Sequence, residues 1–157
     1  MNSYTGNWWR WLIISAVVIA LDQISKAWIV HAFAYREVLA LVPSFNLTLA
    51  YNSGAAFSFL AGAGGWQRGF FAAIAVVASA VIIHLLRKHP EQKLFCLALS
   101  LILGGALGNL WDRLTIGQVV DFLDVYVNAT HWPAFNIADS AITVGAVLMV
   151  WDGFKNK

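Results

Sequence analysis

Charged residues are scarce in this chain. Asp, Glu, Lys and Arg make up only 11% of its 157 residues, while 60% are hydrophobic; an ordinary soluble domain carries about 25% charged residues. A soluble domain of this size keeps most residues in contact with water and cannot bury so much apolar surface. Disordered chains have low hydrophobicity and high charge, which is the opposite composition. The sequence therefore predicts a small integral membrane protein.

Cysteine is also nearly absent, and histidine is sparse. The single cysteine, Cys96, excludes a disulfide framework. The four histidines are scattered and no HExxH motif occurs, whereas zinc needs three or four clustered ligands. A net charge of +2 built from few charges gives no basic surface for nucleic acid. We therefore expect no metal, no cofactor and no nucleic-acid partner.

Four apolar segments approach the roughly 20 residues that a helix needs to cross a bilayer. They are Trp11–Val30, Gly69–Leu86, Leu94–Trp111 and Phe135–Trp151. The first is longer than the apolar core of a signal peptide and contains Asp22 and Lys26, so we interpret it as a retained helix.

Two longer connections separate these segments, at about residues 31–68 and 114–134. Within them, Ser44–Asn52 alternates apolar and polar residues and Gln118–Val127 is also strand-like. The sequence thus predicts an all-α membrane protein with four transmembrane helices and a small extracytoplasmic β-rich cap. We expect residues 1–157 to form a single domain.

The distribution of lysine and arginine predicts the orientation, since cytoplasmic loops are enriched in both. Four crossings put both termini on one side. The cations of that side are Arg10, Arg87, Lys88, Lys93, Lys155 and Lys157, and those of the other side are Lys26, Arg36, Arg68 and Arg113. This bias predicts that both termini are cytoplasmic.

Several polar residues lie in or beside the apolar segments, where an ionisable group costs about 2.5–3.5 kcal/mol. Asp22 and Lys26 are four residues apart, share one helix face and can pair. With the predicted orientation, these polar residues fall in the outer half of the membrane or at its edge. They are Asp22, Lys26, Asn109, Asp112, Arg113 and Asp139, with Asp121 on the outer strand-like stretch.

The usual nucleophiles fit this cluster poorly. Cys96 lies in the inner half of the third segment, where a lone cysteine acts as a small packing residue. Ser25 and Lys26 are adjacent on a helix and point in different directions, so they form no natural dyad. Two carboxyl groups beside one water remain, since repulsion between close negative charges keeps one protonated and one ionised.

Asp121 and Asp139 are the best candidates for such a pair, with Asp112 and Asp124 as equal rivals on spacing alone. Asp139 lies near a helix N-terminus, whose dipole favours an anion. A purely structural role is also open, because Asn136 could cap that helix. For Asp112, a charge pair with Arg113 at the membrane rim is the simpler alternative.

Five stretches resemble the bacterial signal peptidase II (lipoprotein signal peptidase) family. They occur in the order of the family, and the resemblance extends over nearly the whole chain. They are DQISK at Asp22–Lys26, NSGAAF at Asn52–Phe57, GGALGNLWDR at Gly104–Arg113, VVDF at Val119–Phe122 and FNIADS at Phe135–Ser140.

The resemblance implies an aspartic-type membrane endopeptidase of the bacterial cytoplasmic (inner) membrane, with its site near the outer face. Its expected substrates are prolipoproteins carrying diacylglycerol on the cysteine after the cut, and it meets membrane lipids but needs no protein subunit. The resemblance assigns catalysis to Asp121 and Asp139. Substrate-binding or site-ordering positions then fall on Asn52, Gly54, Asn109, Arg113, Asn136, Asp22 and Lys26, and Asn52–Phe57 would be a lid rather than a turn.

Two other functions remain open on the residues alone. A proton-coupled transporter could use Asp22 and Lys26, although it needs a polar path through the inner half. A structural membrane subunit would need only ion pairs. The small residues Gly104, Gly105, Ala106 and Gly108 fit either helix packing or docking of a substrate helix.

Overall fold

A computed structural model describes residues 7–54 and 65–155, and it contains four helices that are long and apolar enough to cross a membrane. They are α1 (Arg10–Ala32), α2 (Trp66–Lys88), α3 (Lys93–Thr115) and α4 (Ile137–Lys155). The first three have 23 residues each, or about 34 Å of helix. The prediction of a four-helix membrane protein is confirmed.

The helices extend beyond the predicted apolar segments, with one exception. Polar residues such as Thr115 and Lys155 continue the helices past the apolar runs, since backbone hydrogen bonding does not require apolar side chains. At the start of α4 the prediction was too long by two residues. Phe135 instead exchanges backbone hydrogen bonds with Leu123, so α4 begins only after Asn136.

Helix α3 lies at the centre of the bundle and packs against α1, α2 and α4. Glycines make the close contacts possible. A Cβ on Gly104 would lie 2.7 Å from Val18 Cβ of α1, and one on Gly105 would collide with the Ala138 carbonyl of α4. These faces are filled by neighbouring helices, which supports the packing interpretation of the glycines over substrate docking.

Four antiparallel strands form one sheet in chain order: β1 (Val38–Val42), β2 (Phe45–Asn52), β3 (Val119–Val127) and β4 (Thr130–His131). The two predicted strands, β2 and β3, are confirmed and pair with each other, with Ala50 opposite Asp121. The sequence did not predict β1 or β4. The apolar run of β1 has no alternation because both of its faces are exposed.

The sheet covers one end of the helix bundle. Ile29 of α1 packs against Leu49, Val120 and Phe122 of the sheet. We call this the sheet end, where α1 and α3 finish and α4 begins. The opposite end, where α1 begins and α4 finishes, is called the terminal end, and it contains a core of Ile82, Leu86, Cys96, Leu99 and Leu103.

Candidate active site

Asp121 and Asp139 reach the sheet end from different elements. Asp121 lies on β3 and is buried, with 3% of its surface exposed. Asp139 lies in the first turn of α4. Eighteen residues separate them in the sequence, so their proximity depends on how α4 docks against the sheet.

Asn136 connects the two aspartates. Its Nδ2 donates to Asp121 Oδ1 at 2.7 Å and to the Val120 carbonyl at 3.1 Å. Its Oδ1 accepts the backbone N–H of Asp139 at 2.8 Å. The expected helix cap therefore exists, and the same side chain also holds Asp121.

Asn109 of α3 holds the other aspartate. Its Nδ2 donates to Asp139 Oδ1 at 2.8 Å. Its Oδ1 accepts from Lys26 Nζ at 3.0 Å and from Asn136 Nδ2 at 3.2 Å. Because Oδ1 accepts from these two donors, the Nδ2 end of the Asn109 amide is the one that faces the Asp139 carboxylate.

Asn52, Gly54 and Arg113 lie on the other side of the pair. Asn52 Nδ2 donates to Asp121 Oδ2 at 3.2 Å, and Asn52 Oδ1 accepts the Gly54 N–H at 3.0 Å. Arg113 donates to the carbonyls of Gly54 (3.3 Å) and Asn109 (3.2 Å). These three residues, which the family resemblance assigned to the site, are thus joined to the hydrogen-bond network of the two aspartates. Residues 55–57 of the expected lid lie outside the described residues.

The predicted pair of Asp22 and Lys26 is confirmed, with a separation of 2.7 Å between Lys26 Nζ and Asp22 Oδ2. Asp22 lies just past the middle of α1. Asp112 joins this pair, at 2.9 Å from Lys26 Nζ. This ion pair takes the place of the Asp112–Arg113 rim pair considered from the sequence.

The sequence did not predict the contacts of Gln23 or the role of Asp112. Gln23 Nε2 donates to Asp112 Oδ1 at 2.9 Å and to the Gly108 carbonyl at 3.2 Å. An amide inside an apolar span was a usable signal for Gln23. No local spacing could show that Asp112 meets Lys26 across 86 residues.

Asp124, the other rival, belongs to a different cluster. It accepts from Asn46 Nδ2 at 2.8 Å and lies 2.8 Å from His131 Nδ1. Both partners are on the sheet. The carboxyl groups that the described structure joins to one network with Asp139 are those of Asp121, Asp22 and Asp112.

The environment of Asp121 favours its protonated form. Burial, and after it the negative charge of Asp139, raise the pKa of Asp121 from 3.8 to about 7. Hydrogen bonds from Asn52 and Asn136 and the charge of Lys26 act in the opposite direction on this pKa. A buried carboxyl beside a second one is the arrangement in which a pair retains one proton.

A cavity of about 590 Å³ opens beside Asp139. Asn52, Asn109 and Arg113 line its polar side. The rest of the wall is largely apolar and includes Val119, Trp132, Pro133, Phe135, Ile142 and Val144. A few convergent polar groups in an apolar pocket are typical of a ligand site.

Within the described part of the chain, no three histidine, cysteine, aspartate or glutamate side chains lie together as metal ligands would. The charged groups of the site are instead engaged with one another and with amides.

Comparison with known proteins identifies the family. The family model described as "Signal peptidase (SPase) II" matches residues 14–155. The chain belongs to the signal peptidase II family. As a member of this family, it is a multi-pass membrane peptidase.

Curated members of the family are similar over most of their length. Proteins named lipoprotein signal peptidase from Burkholderia mallei and Burkholderia thailandensis are 61% and 60% identical over 145 residues. The one from Paraburkholderia phymatum is 57% identical. Each alignment covers 92% of this chain and 87% of the relative.

Two solved structures share the fold. Both are described as bacterial membrane enzyme structures obtained by the in meso method, and both are 31% identical to this chain. Their TM-scores are 0.85 and 0.82. Each comparison covers 94% of this chain, with 88% and 94% of the respective neighbour. The arrangement of four helices and a small sheet is therefore that of known membrane enzymes.

Proposed function

We propose that the protein is an aspartic endopeptidase that removes the signal peptide from diacylglyceryl-modified prolipoproteins. It cuts before the lipid-modified cysteine, with Asp121 and Asp139 as the catalytic pair. The observation that carries this proposal is the Asn136 side chain, which hydrogen-bonds Asp121 Oδ1 and the N–H of Asp139, a residue that lines the cavity. The names of the 57–61% identical relatives support the substrate class.

The proposed reaction uses one proton held by the pair. The ionised carboxylate takes a proton from water, whose oxygen attacks the scissile carbonyl carbon. The protonated carboxyl donates to the carbonyl oxygen. Asp121, with its pKa raised to about 7, is the group suited to keep the proton near neutral pH, while Asp139 accepts from Asn109 and suits the anion. The C–N bond then breaks, and the leaving amine takes a proton from the pair.

The amide side chains around Asp121 and Asp139 hold the two carboxyl groups in position. Asn109 and Asn136 donate to the two carboxyl groups and orient them. Asn52, Gly54 and Arg113 are suited to bind the substrate backbone, because they form the polar wall of the cavity or support it. Asp22 and Lys26 order the site from within the bundle.

The apolar lining suits a substrate that stays in the membrane. The diacylglycerol and the signal helix would contact apolar surface such as Phe135, Ile142 and Val144. In this proposal the protein lies in the bacterial cytoplasmic membrane with both termini in the cytoplasm, so the sheet end faces outward. It acts as a single domain on membrane-held precursors and needs no cofactor or second subunit.

Cleavage of a matched pair of precursors tests the proposal. Purified protein in lipid–detergent micelles is incubated with one prolipoprotein, either diacylglyceryl-modified or unmodified, and the products are identified by mass spectrometry. We expect a product that begins at the modified cysteine from the first precursor and none from the second.

Two variants of one strand supply the control. Asp121→Asn should abolish cleavage, whereas Asp124→Asn on the same strand should retain it. Cleavage of both precursors alike would refute the substrate class, and full activity of Asp121→Asn would refute the catalytic pair. A folded protein that cleaves neither precursor but carries protons across liposomes would instead support the transporter alternative.

A further inference from the structure

The buried ion cluster of Asp22, Lys26 and Asp112 also contacts the backbone beside each proposed catalytic aspartate. Asp22 Oδ1 accepts the N–H of Ala138 at 2.9 Å. Asp112 Oδ2 accepts the N–H of Val120 at 3.1 Å. Ala138 immediately precedes Asp139, and Val120 immediately precedes Asp121. Each carboxylate thus holds the residue before one member of the pair.

Lys26 joins these two carboxylates. Its Nζ lies 2.7 Å from Asp22 Oδ2 and 2.9 Å from Asp112 Oδ2. Its third hydrogen bond goes to Asn109 Oδ1 at 3.0 Å, and Asn109 donates to Asp139. All three side chains are almost fully buried, with 0–3% of each residue exposed. An ammonium group has three donors, and all of them are used here.

We propose that Asp22, Lys26 and Asp112 form a clamp that sets the spacing of Asp121 and Asp139. The three are positioning residues, since they act through the backbone of β3 and α4. This inference rests on the proposed function and adds Asp112 to the groups that the reaction depends on.

The clamp opposes a separation of the two elements that carry Asp121 and Asp139. An aspartate side chain is short, so the position of its carboxyl group follows its backbone closely. Whenever both carboxyl groups are ionised, the repulsion between them favours separation of the elements that carry them. One ammonium group that attracts two carboxylates, each bound to one of those elements, opposes this separation. A displacement of about 1 Å is enough to slow a reaction strongly.

Kinetics of alanine variants test the clamp on the full-length enzyme in micelles. Asp112→Ala and Asp22→Ala should each lower kcat about tenfold or more, while KM changes less than about threefold. Asp112→Asn restores an oxygen that can accept the Val120 N–H, so its kcat should recover part of the loss.

The matched control is Asp124→Ala. Asp124 is also a buried carboxylate of the site-bearing sheet, but it accepts from Asn46 and His131 side chains. Its removal should leave kcat close to the wild-type value in the folded fraction. If Asp112→Ala does not fold, Asp112→Asn is compared with Asp124→Asn, and only the first should lower kcat.

Amide NMR gives a readout that loss of stability alone would not produce. In protein with ¹⁵N-labelled valine and alanine, Asp112→Ala should shift the amide proton of Val120 upfield and speed its exchange. Asp22→Ala should do the same to Ala138, and each variant should affect its own amide more than the other.

The outcomes separate the clamp from the function it serves. An unchanged kcat in folded Asp112→Ala, or an equal loss in Asp124→Ala, overturns the clamp, as does failure of Asp112→Asn to recover any activity. If Asp121→Asn is inactive in the same assay, the proposed function survives that result. Full activity of Asp121→Asn would overturn the catalytic pair itself.

Discussion

The two ends of the helix bundle differ in the side chains that they bury. At the terminal end, α2 and α3 meet through an apolar core of Ile82, Leu86, Leu99 and Leu103. At the sheet end, the interior holds Asp22, Lys26, Asn109, Asp112 and Asn136, all buried. A bundle of this kind can thus be held together by packing, and the polar groups at the sheet end need an explanation beyond stability.

Hydrogen bonds differ between the ends in the same way. At the terminal end, Ser15 Oγ donates to the Ser100 carbonyl, which joins α1 to α3 by one short contact. At the sheet end, Asn136 alone contacts Asp121, Asn109 and two backbone groups. The difference suggests that substitutions at the sheet end act mainly on activity and those at the terminal end act mainly on stability.

The largest expected effect comes from Asp139→Asn. It removes a proposed catalytic carboxyl and keeps its shape, so cleavage of the modified precursor should fall by roughly 10³-fold or more. Asp152→Asn makes the same change near the terminal end of α4 and should leave cleavage intact. The rates of precursor cleavage by the two variants are measured in parallel. An equal loss of rate in both variants would contradict the proposed difference between the two ends.

The pH dependence should be the next largest effect. With the pKa of Asp121 raised from 3.8 to about 7, the proposed protonated form is lost above that pH, and kcat/KM should fall tenfold per pH unit there. A profile from pH 5 to 9 measures this, and a rate still rising at pH 9 would contradict it.

The same raised pKa gives a prediction for stability. The folded state binds the Asp121 proton more tightly than the unfolded state does. The contribution of this proton to the free energy of unfolding is therefore complete below about pH 4 and is lost as the pH rises through 7. The loss is on the order of a few kcal/mol. Thermal unfolding from pH 4 to 8 should show it in the wild type and show less of it in Asp121→Asn.

Two glycine substitutions should separate activity from stability. A Cβ on Gly108 would lie 2.7 Å from Asp22 Oδ2, whereas one on Gly145 would lie 2.7 Å from the Ala98 carbonyl, away from the site. Both changes overpack the bundle and should cost about 1–3 kcal/mol. Only Gly108→Ala should also lower kcat of the folded fraction, and equal kcat values would count against the difference between the ends.

The smallest expected effect is that of Ser15→Ala. It removes the hydrogen bond to the Ser100 carbonyl at the terminal end, and such bonds in membrane proteins contribute about 0.6 kcal/mol on average. Stability should fall by about that amount with kcat unchanged. Thermal unfolding and the cleavage assay measure the two, and a tenfold loss of kcat would show that the terminal end also serves the site.

Much of the fold could be predicted from local patterns. Long apolar runs predict the helices, and alternation predicts β2 and β3. Strand β1 has a continuous apolar run, so the period that marks a half-buried strand is missing. The start of α4 could not be predicted closely, because Phe135 pairs with β3 through backbone atoms that its side chain does not reveal.

Part of the site could likewise be predicted, because some of its contacts are between residues close together in the sequence. The i, i+4 spacing predicts the pair of Asp22 and Lys26, and the cap expected of Asn136 is present. Contacts across long stretches of sequence have no local signal. The meeting of Asp112 with Lys26 and of Asn109 with Asp139 depends on how α3 packs against α1 and α4.

The docking of α4 has a consequence for the order of biosynthesis. Asp121 is translated before Asp139, and Asn136, which joins them, belongs to the segment that leads into α4. A nascent chain with α1, α2, α3 and the sheet in the membrane therefore carries an unfinished site. Insertion of α4 supplies the second carboxyl and the bridging amide together, so the proposed hydrolysis can start only when assembly in the membrane is complete.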